Sequence, residues 1–171
     1  MTDRRAAARR LALTVVLVLA AVPAGAASFA QVVSDATKPV ITIAAALPAF
    51  SRSHRGLAAA SRRYDAQLVT MVATSLVKDT VHEWRPNRSD RKSFPSGHAS
   101  AAFALAGSLA EEHPKHKWLY IGLASVVGWS RVELRKHHWH DVAAGAALGY
   151  ACGKWSSGSE DGVLVGKVFK W

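Results

Sequence analysis

The chain has 171 residues, of which half are apolar and a fifth are charged, and its formal net charge is +10. This length suits one domain with a buried core, and the apolar fraction excludes a disordered chain. The strong positive charge favours an anionic partner, which could be nucleic acid, an anionic membrane surface or a phosphorylated substrate.

The N-terminal segment has the pattern of a secretory leader. Residues 1–10 carry four arginines, an uncharged apolar run follows from Leu11 to Val22, and small residues at 24–26 supply a cleavage site. We expect residues 1–26 to be a signal peptide or an N-terminal anchor. Residues 27–171 would then be the exported domain, periplasmic or at the outer face of the inner membrane, and that domain keeps a net charge of +7.

The rest of the chain is predicted to be helical, since helix-forming residues dominate and strand alternation is rare. In chain order, helices are predicted over 38–50, 65–84, 96–112, 118–131 and 137–153, with a basic loop at 51–55, a polar loop at 87–95 and a short strand or extended arm at 163–171. The uncharged apolar runs have 12 or 13 residues, whereas a helix needs about 20 to cross a bilayer. We therefore expect a soluble or membrane-peripheral all-α domain, with most of its tryptophans in the core.

The first cluster of chemically interesting residues lies at the end of the second predicted helix. Lys78 and Arg85 are seven residues apart, which is two helical turns and predicts that both side chains project from one face. Two cations on one face could bind an anion. The same spacing is also typical of a solvated amphipathic helix end.

The second cluster is Pro95-Ser96-Gly97-His98, a tight turn that leads into a helix. Free backbone N–H groups at such a start, including those of Ser96 and Gly97, can bind an anion. The Ser96 hydroxyl can cap the helix or donate to a bound oxyanion, and His98 would lie beside that anion in position to give a proton. The alternative is an ordinary helix N-cap.

The third cluster begins the last long predicted helix. His137 and Asp141 are four residues apart and are predicted to share a helical face; the carboxylate can hold one imidazole nitrogen as a donor and leave the other nucleophilic. Arg131 adds a planar cation suited to phosphate. The alternative is a metal site whose ligands would be His137, His138, His140 and Asp141. We disfavour it because no cysteine or second carboxylate-rich cluster completes the set, and the neighbouring arginines and lysines would repel a cation.

Together the three clusters resemble the signature of the PAP2 (phosphatidic acid phosphatase type 2) superfamily. The matching segments are Lys-x6-Arg-Pro at 78–86, Pro-Ser-Gly-His at 95–98 and Ser-Arg-x5-His-x3-Asp at 130–141, in order and with intact spacing. The resemblance covers about residues 65–153. It implies a compact helical bundle with the site at the ends of the core helices.

The resemblance also implies an activity, which is hydrolysis of a phosphomonoester or pyrophosphate through a phosphohistidine at His137, without metal or other cofactor. Asp141 would orient His137, and His98 would protonate the leaving oxygen and could then activate water. The phosphate would be held by Lys78, Arg85, Ser96, Gly97 and Arg131.

The implied substrate is a phosphorylated lipid or a small soluble phosphoester, since both present the same group to such a pocket. One competing function is a vanadium-dependent haloperoxidase, although the chain has no added segment to handle halide or peroxide. Another is a non-catalytic module that binds anions or a membrane surface, for instance through the basic residues within 54–63. Binding alone needs no oriented nucleophile, so catalysis is favoured. Nucleic acid is disfavoured because the leader predicts export and the aromatic residues do not interleave with the basic ones.

Overall fold

The computed structural model describes residues 28–51 and 53–168, and it confirms an all-α fold. Within those residues the long helices are α1 (Phe29–Ala46), α2 (His54–Thr80), α3 (Gly97–Glu112), α4 (Lys117–Glu133) and α5 (Trp139–Ser157). Short 3-10 helices occupy Leu47–Ser51 and Pro114–His116, and a single turn, α6, covers Val165–Val168. The predicted leader, residues 1–26, lies outside the described residues.

The first helix begins earlier than predicted. It starts at Phe29 rather than at residue 38, and the hydroxyl of Ser28 caps it by accepting the N–H of Gln31 at 3.2 Å. Pro39 lies inside the helix. A proline in that position removes one backbone hydrogen bond, but buried small residues on both sides of it hold α1 against the bundle.

The second helix also begins and ends earlier in the chain than predicted. The predicted basic loop ends sooner than expected, because α2 begins at His54 behind the cap residue Ser53, whose hydroxyl accepts the N–H of Gly56 at 3.1 Å. The helix ends at Thr80 rather than at residue 84, and Val81 is extended, with φ −100° and ψ 100°. An irregular segment connects it to α3.

The tail forms a helical turn at residues 165–168, so the predicted strand or extended arm is wrong there. Asp65 on α2 is fully buried, and its carboxylate accepts the N–H groups of Val163, Leu164 and Val165 at 2.5, 2.9 and 2.8 Å. Backbone N–H groups at a helix start have no partner within the helix. The buried carboxylate supplies one and fixes the start of α6 against α2.

The pair α3 and α5 is the most extensive contact of the bundle, and the two helices run parallel. Glycines repeat every fourth residue along α5 and let its backbone approach that of α3. A methyl group on Gly149 would lie 2.0 Å from the carbonyl oxygen of Ser100, and one on Gly153 would lie 2.2 Å from that of Ala104. This close contact places the first turns of α3 and α5 side by side.

The interior consists mostly of small and polar side chains, and many large apolar ones lie outside. The buried apolar residues are chiefly alanines. The exposed large residues on α2 and α4 are Leu68, Met71, Val72, Leu76, Trp118, Leu119, Leu123, Val126 and Trp129. The expectation that most tryptophans lie in the core is wrong, since Trp84, Trp118, Trp129 and Trp139 are 36% to 77% exposed.

Among the described residues, one helical stretch, Phe29–Ser51, is long and apolar enough to cross a membrane.

Candidate active site

The three sequence clusters come together at one end of the bundle, where α2 and α4 end and α3 and α5 begin. Lys78 lies in the last turn of α2 and Arg131 in the last turn of α4. His98 and Asp141 lie in the first turns of α3 and α5. We call this the site end.

His137 and Asp141 meet, but not by the helical geometry that the spacing predicted. The helix α5 begins at Trp139, so His137 lies in the preceding loop and shares no helical face with Asp141. The loop turns back instead, with the His137 N–H donating to the carbonyl of Arg131 at 3.2 Å. His137 Nδ1 then lies 3.5 Å from Asp141 Oδ2, and both side chains are buried. At this distance the ring and the carboxylate are in contact without a hydrogen bond.

Asp141 is held as a carboxylate by donors from two segments. Its Oδ2 accepts the hydroxyl of Ser93 at 2.5 Å and the N–H of His138 at 2.7 Å. Burial alone would raise the pKa of Asp141, but these two hydrogen bonds and the neighbouring histidines bring it below its ordinary value. Ser93 was not predicted, since nothing in the sequence distinguishes it from the other polar residues of its loop.

The pKa of His137 lies well below its ordinary value. Burial is the main cause, because it disfavours the charged imidazolium, and the positive charges of Lys78, Arg85 and Arg131 lower it further. Asp141 acts in the opposite direction with less effect. The ring is therefore unprotonated at neutral pH, with a free lone pair.

Lys78 and Arg85 approach the site by different routes, so the prediction of a shared helical face is wrong. Lys78 Nζ donates to the carbonyl oxygens of Lys92 and Ser93 at 2.7 and 3.3 Å. Arg85 lies beyond the end of α2, where its Nε donates to Asp90 Oδ1 at 2.8 Å. Burial and the charge of Arg85 lower the pKa of Lys78 to about 8.

Arg131 brings α1 to the site, a contribution that the sequence did not predict. Its side chain is 7% exposed and donates a short hydrogen bond to the hydroxyl of Ser34 on α1. Its Nε has no hydrogen-bond partner in the described part of the chain. An arginine half satisfied in this way keeps a donor for a ligand.

The predicted anion site at the start of α3 is only partly free. The Ser96 N–H donates to the carbonyl of Asp141 at 3.0 Å, so the prediction that this amide is available to an anion is wrong. The fully buried Ser96 hydroxyl caps the helix by accepting the N–H of Ala99 at 3.5 Å. The Gly97 N–H, the first of α3, makes no hydrogen bond to any described residue.

His98 follows on the same turn and is partly buried. Burial lowers its pKa to about 4, assisted by the positive charges of Arg131, Lys38 and Arg85, with Asp35 opposing them. Lys38 and Asp35 belong to α1, so α1 also shapes the electrostatics around His98. An anion bound nearby would reverse part of this shift.

Comparisons with known proteins agree with the sequence pattern. A family model described as the PAP2 superfamily matches residues 66–160. The bacitracin transport permease protein BcrC of Bacillus licheniformis is 44% identical over 57 residues, which are 33% of this chain. The matched part is 28% of the length of that relative.

Two solved structures match the chain. The crystal structure of Aquifex aeolicus LpxE matches with a TM-score of 0.55 and 22% identity, over 76% of this chain and 93% of that one. A transmembrane PAP2 type phosphatidylglycerolphosphate phosphatase from Bacillus subtilis matches with a TM-score of 0.48 and 24% identity, over 95% and 97% of the two chains. The family model covers more than half of the chain, and the helical fold agrees with it. The chain therefore belongs to the PAP2 superfamily.

Proposed function

We propose that this protein is a metal-independent phosphatase that hydrolyses a phosphomonoester or pyrophosphate through a phosphohistidine on His137. The observation that carries the proposal is a buried, unprotonated imidazole set against the carboxylate of Asp141 and within the field of three cationic side chains. A nucleophile with an orienting carboxylate and a neighbouring anion site is what phosphoryl transfer to histidine requires.

In the first step, the free ring nitrogen Nε2 of His137 attacks phosphorus. The N–P bond forms as the P–O bond to the leaving group breaks, and the leaving oxygen takes a proton from His98. Asp141 faces Nδ1 on the other side of the ring, where it stabilises the positive charge that the imidazole gains. In the second step His98 accepts a proton from water, the water oxygen attacks phosphorus, and the N–P bond breaks to release phosphate.

His98 needs a proton for the first step, although its pKa of about 4 leaves it neutral at pH 7. A bound phosphate group would bring negative charge between His98 and Arg131 and raise that pKa. Substrate binding would therefore favour the protonated form of His98, which is the form that acts as the general acid. In this proposal, His98 is protonated mainly when a leaving group is present.

The phosphate oxygens would be held by Lys78, Arg85 and Arg131, together with the Gly97 amide and the Ser96 hydroxyl. Three fixed cations supply the charge that a metal ion supplies in other phosphatases. Each already has a protein partner that leaves capacity for a ligand: Lys78 on backbone carbonyls, Arg85 on Asp90, and Arg131 on Ser34.

A phosphorylated lipid is the substrate class that the distribution of side chains favours. Small and polar residues fill the interior, while the outer faces of α2 and α4 carry a band of large apolar side chains at 68–76 and 118–129. Proteins in lipid pack their helices through small residues and expose apolar ones, and an apolar surface of this extent marks a contact with a partner or membrane. We propose that these faces contact lipid. Lys78 and Arg131 lie just beyond the band, where a lipid headgroup would meet the site. The leader would export the domain to the periplasmic side.

The test is phosphate release by the full chain in detergent micelles, from lipid phosphates and soluble phosphoesters, with and without EDTA. We expect lipid substrates to be preferred, EDTA to have no effect, and vanadate to inhibit. His137→Ala should lower turnover about 1,000-fold or more, while His113→Ala, at an exposed histidine at the end of α3, should not.

A covalent intermediate can be trapped by acid-free quenching with substrate labelled in its phosphate group. We expect an acid-labile, alkali-stable label on the protein, absent from His137→Ala. Activity that needs a metal, or an unimpaired His137→Ala enzyme, would overturn the mechanism. A clear preference for soluble phosphoesters would overturn the lipid assignment alone.

A further inference from the structure

A second cluster of ligating side chains lies beside the site and shares Asp141 with it. His140 Nε2 lies 2.7 Å from Glu83 Oε1 and 3.2 Å from Asp141 Oδ1. His138 Nδ1 lies 3.3 Å from both Glu83 Oε1 and Asp141 Oδ2. The proposed phosphatase mechanism uses neither of these two histidines nor Glu83.

The position of Glu83 in this cluster could not be predicted from the sequence. It precedes His138 by 55 residues in the chain and lies in the irregular segment after α2. A backbone hydrogen bond from the Ser93 N–H to the Glu83 carbonyl, 3.1 Å long, holds this segment near the start of α5. The structure thereby provides the second carboxylate whose absence from the sequence pattern argued against a metal.

The buried oxygen Asp141 Oδ1 points into the same cluster and is not satisfied. Asp141 is fully buried, and this oxygen makes no hydrogen bond in the described part of the chain, whereas Oδ2 accepts several. A buried carboxylate oxygen without a partner is costly unless something cationic or protonated meets it. Here the imidazole Nε2 of His140 lies 3.2 Å from it.

The spacing of the four ligand atoms suits a small tetrahedral cation. Ligands about 2.0–2.1 Å from a tetrahedral zinc ion are separated from each other by about 3.3 Å, and three pairs of the ligand atoms here lie at 2.7 to 3.3 Å. The rings of His138 and His140 are stacked, with centroids 5.1 Å apart and an interplanar angle of 9°. One ligand atom from each of the four residues lies within 4.8 Å of those of the other three.

We propose that Glu83, His138, His140 and the Oδ1 oxygen of Asp141 form a binding site for a divalent transition metal of the zinc class. Two imidazoles and two carboxylates are a ligand set that zinc accepts, and the two carboxylates neutralise the charge of the ion. The site shares Asp141 with the proposed phosphoryl-transfer site, but His137 is not one of its ligands.

The test is calorimetric titration of the full chain with Zn²⁺, and titration with Co²⁺ followed by visible absorption, which is intense for tetrahedral coordination. We expect one saturable site per chain. Glu83→Gln and His140→Ala should each weaken binding about tenfold or more and remove the tetrahedral cobalt spectrum. His82→Ala, an exposed histidine next to Glu83, is the matched control and should bind like the wild type.

His137→Ala should also retain binding, which separates this site from the phosphatase mechanism: the metal can bind even if His137 proves not to be the nucleophile. Circular dichroism of each variant checks that the helices remain folded. Absence of saturable binding would overturn the proposal. So would binding that Glu83→Gln and His140→Ala leave unchanged in folded protein, since the metal would then be held by other histidines.

Discussion

The two ends of the helical bundle differ in whether their buried charged groups are paired. At the far end, where α1 and α3 finish, Arg63 on α2 makes two hydrogen bonds to the carboxylate of Glu112 and a third to the carbonyl of Ala44, at 3.1, 2.5 and 2.7 Å. Both charged side chains are largely buried. Their charges are therefore paired, and their donors are directed at partners within the fold.

At the site end the buried polar groups are not fully paired. Among the described residues, buried side-chain atoms without a hydrogen bond include Arg131 Nε, His137 Nδ1 and Asp141 Oδ1, and these three side chains all belong to the candidate site. Unsatisfied buried groups and displaced pKa values cost stability and are concentrated where a protein binds or reacts. The difference indicates that the far end stabilises the fold, while the site end keeps its polar atoms for a ligand.

Replacing the two buried arginines tests this contrast most strongly. Arg63→Met leaves Glu112 buried without its partner, and we expect it to lower the free energy of unfolding by about 3–5 kcal/mol. Arg131→Met removes an arginine that the fold satisfies only in part, so we expect a loss of about 1 kcal/mol or less. It should instead lower phosphate release about 100- to 1,000-fold.

The measurements are denaturant unfolding and phosphate release per folded molecule for both variants. Folded Arg63→Met should keep near-normal turnover under stabilising conditions. The contrast between the ends fails if Arg131→Met unfolds as readily as Arg63→Met, or if it remains fully active.

A substitution in the contact between α3 and α5 is expected to have a smaller effect, which lowers both stability and turnover. A methyl group on Gly149 has no room beside the Ser100 carbonyl, so Gly149→Ala must push the helices apart. We expect a loss of about 1–3 kcal/mol in stability. Turnover should fall as well, because α5 carries Asp141 and α3 carries His98.

Gly122→Ala on α4 is the matched control, since a methyl group there meets no atom within 4 Å. Alanine is the better helix former, so we expect this variant to be unchanged or more stable by up to about 1 kcal/mol. Thermal unfolding and turnover of the two variants should therefore diverge. Equal behaviour would show that the close α3–α5 approach does not position the site.

Much of this fold and of the candidate site could be predicted from the sequence. The order and type of the long helices follow from composition, and the three motifs select the residues that converge at the site end. The reasons given for two pairings were nevertheless wrong. Arg85 lies past the end of α2 and His137 lies before the start of α5. Helical periodicity thus predicted the correct pairs of residues. In the structure, however, loops bring each pair together, and neither pair shares a helix face.

Other features depend on tertiary contacts that a linear pattern does not contain. Ser34 and Ser93 reach the site from segments that carry no motif, and Glu83 is an unspecified position of the first motif; each is identified only by the side chain that it contacts. The tryptophans were misplaced for a different reason. Apolar residues are expected inside a protein in water, but here alanine, serine and glycine fill the interior and leave the large side chains on the surface.

The smallest expected effect concerns the pH dependence of stability at the site end. The pKa of His98 is lowered to about 4 in the fold by burial and by the charges of Arg131, Lys38 and Arg85, whereas in the unfolded chain it is about 6.5. Between these values the unfolded state binds more protons, so the free energy of unfolding falls as the pH falls. We expect His98 to account for a loss on the order of 1 kcal/mol between pH 7 and pH 5.

His98→Asn should remove this part of the pH dependence, so that its stability declines less on acidification than that of the wild type. His113→Asn, at an exposed histidine of the far end, should retain the wild-type profile. Denaturant unfolding of the three proteins at pH 7, 6 and 5 measures the difference. If all three profiles coincide, burial and the surrounding cations do not lower the pKa of His98 in the folded protein, and the contrast between the two ends would rest on the unpaired atoms alone.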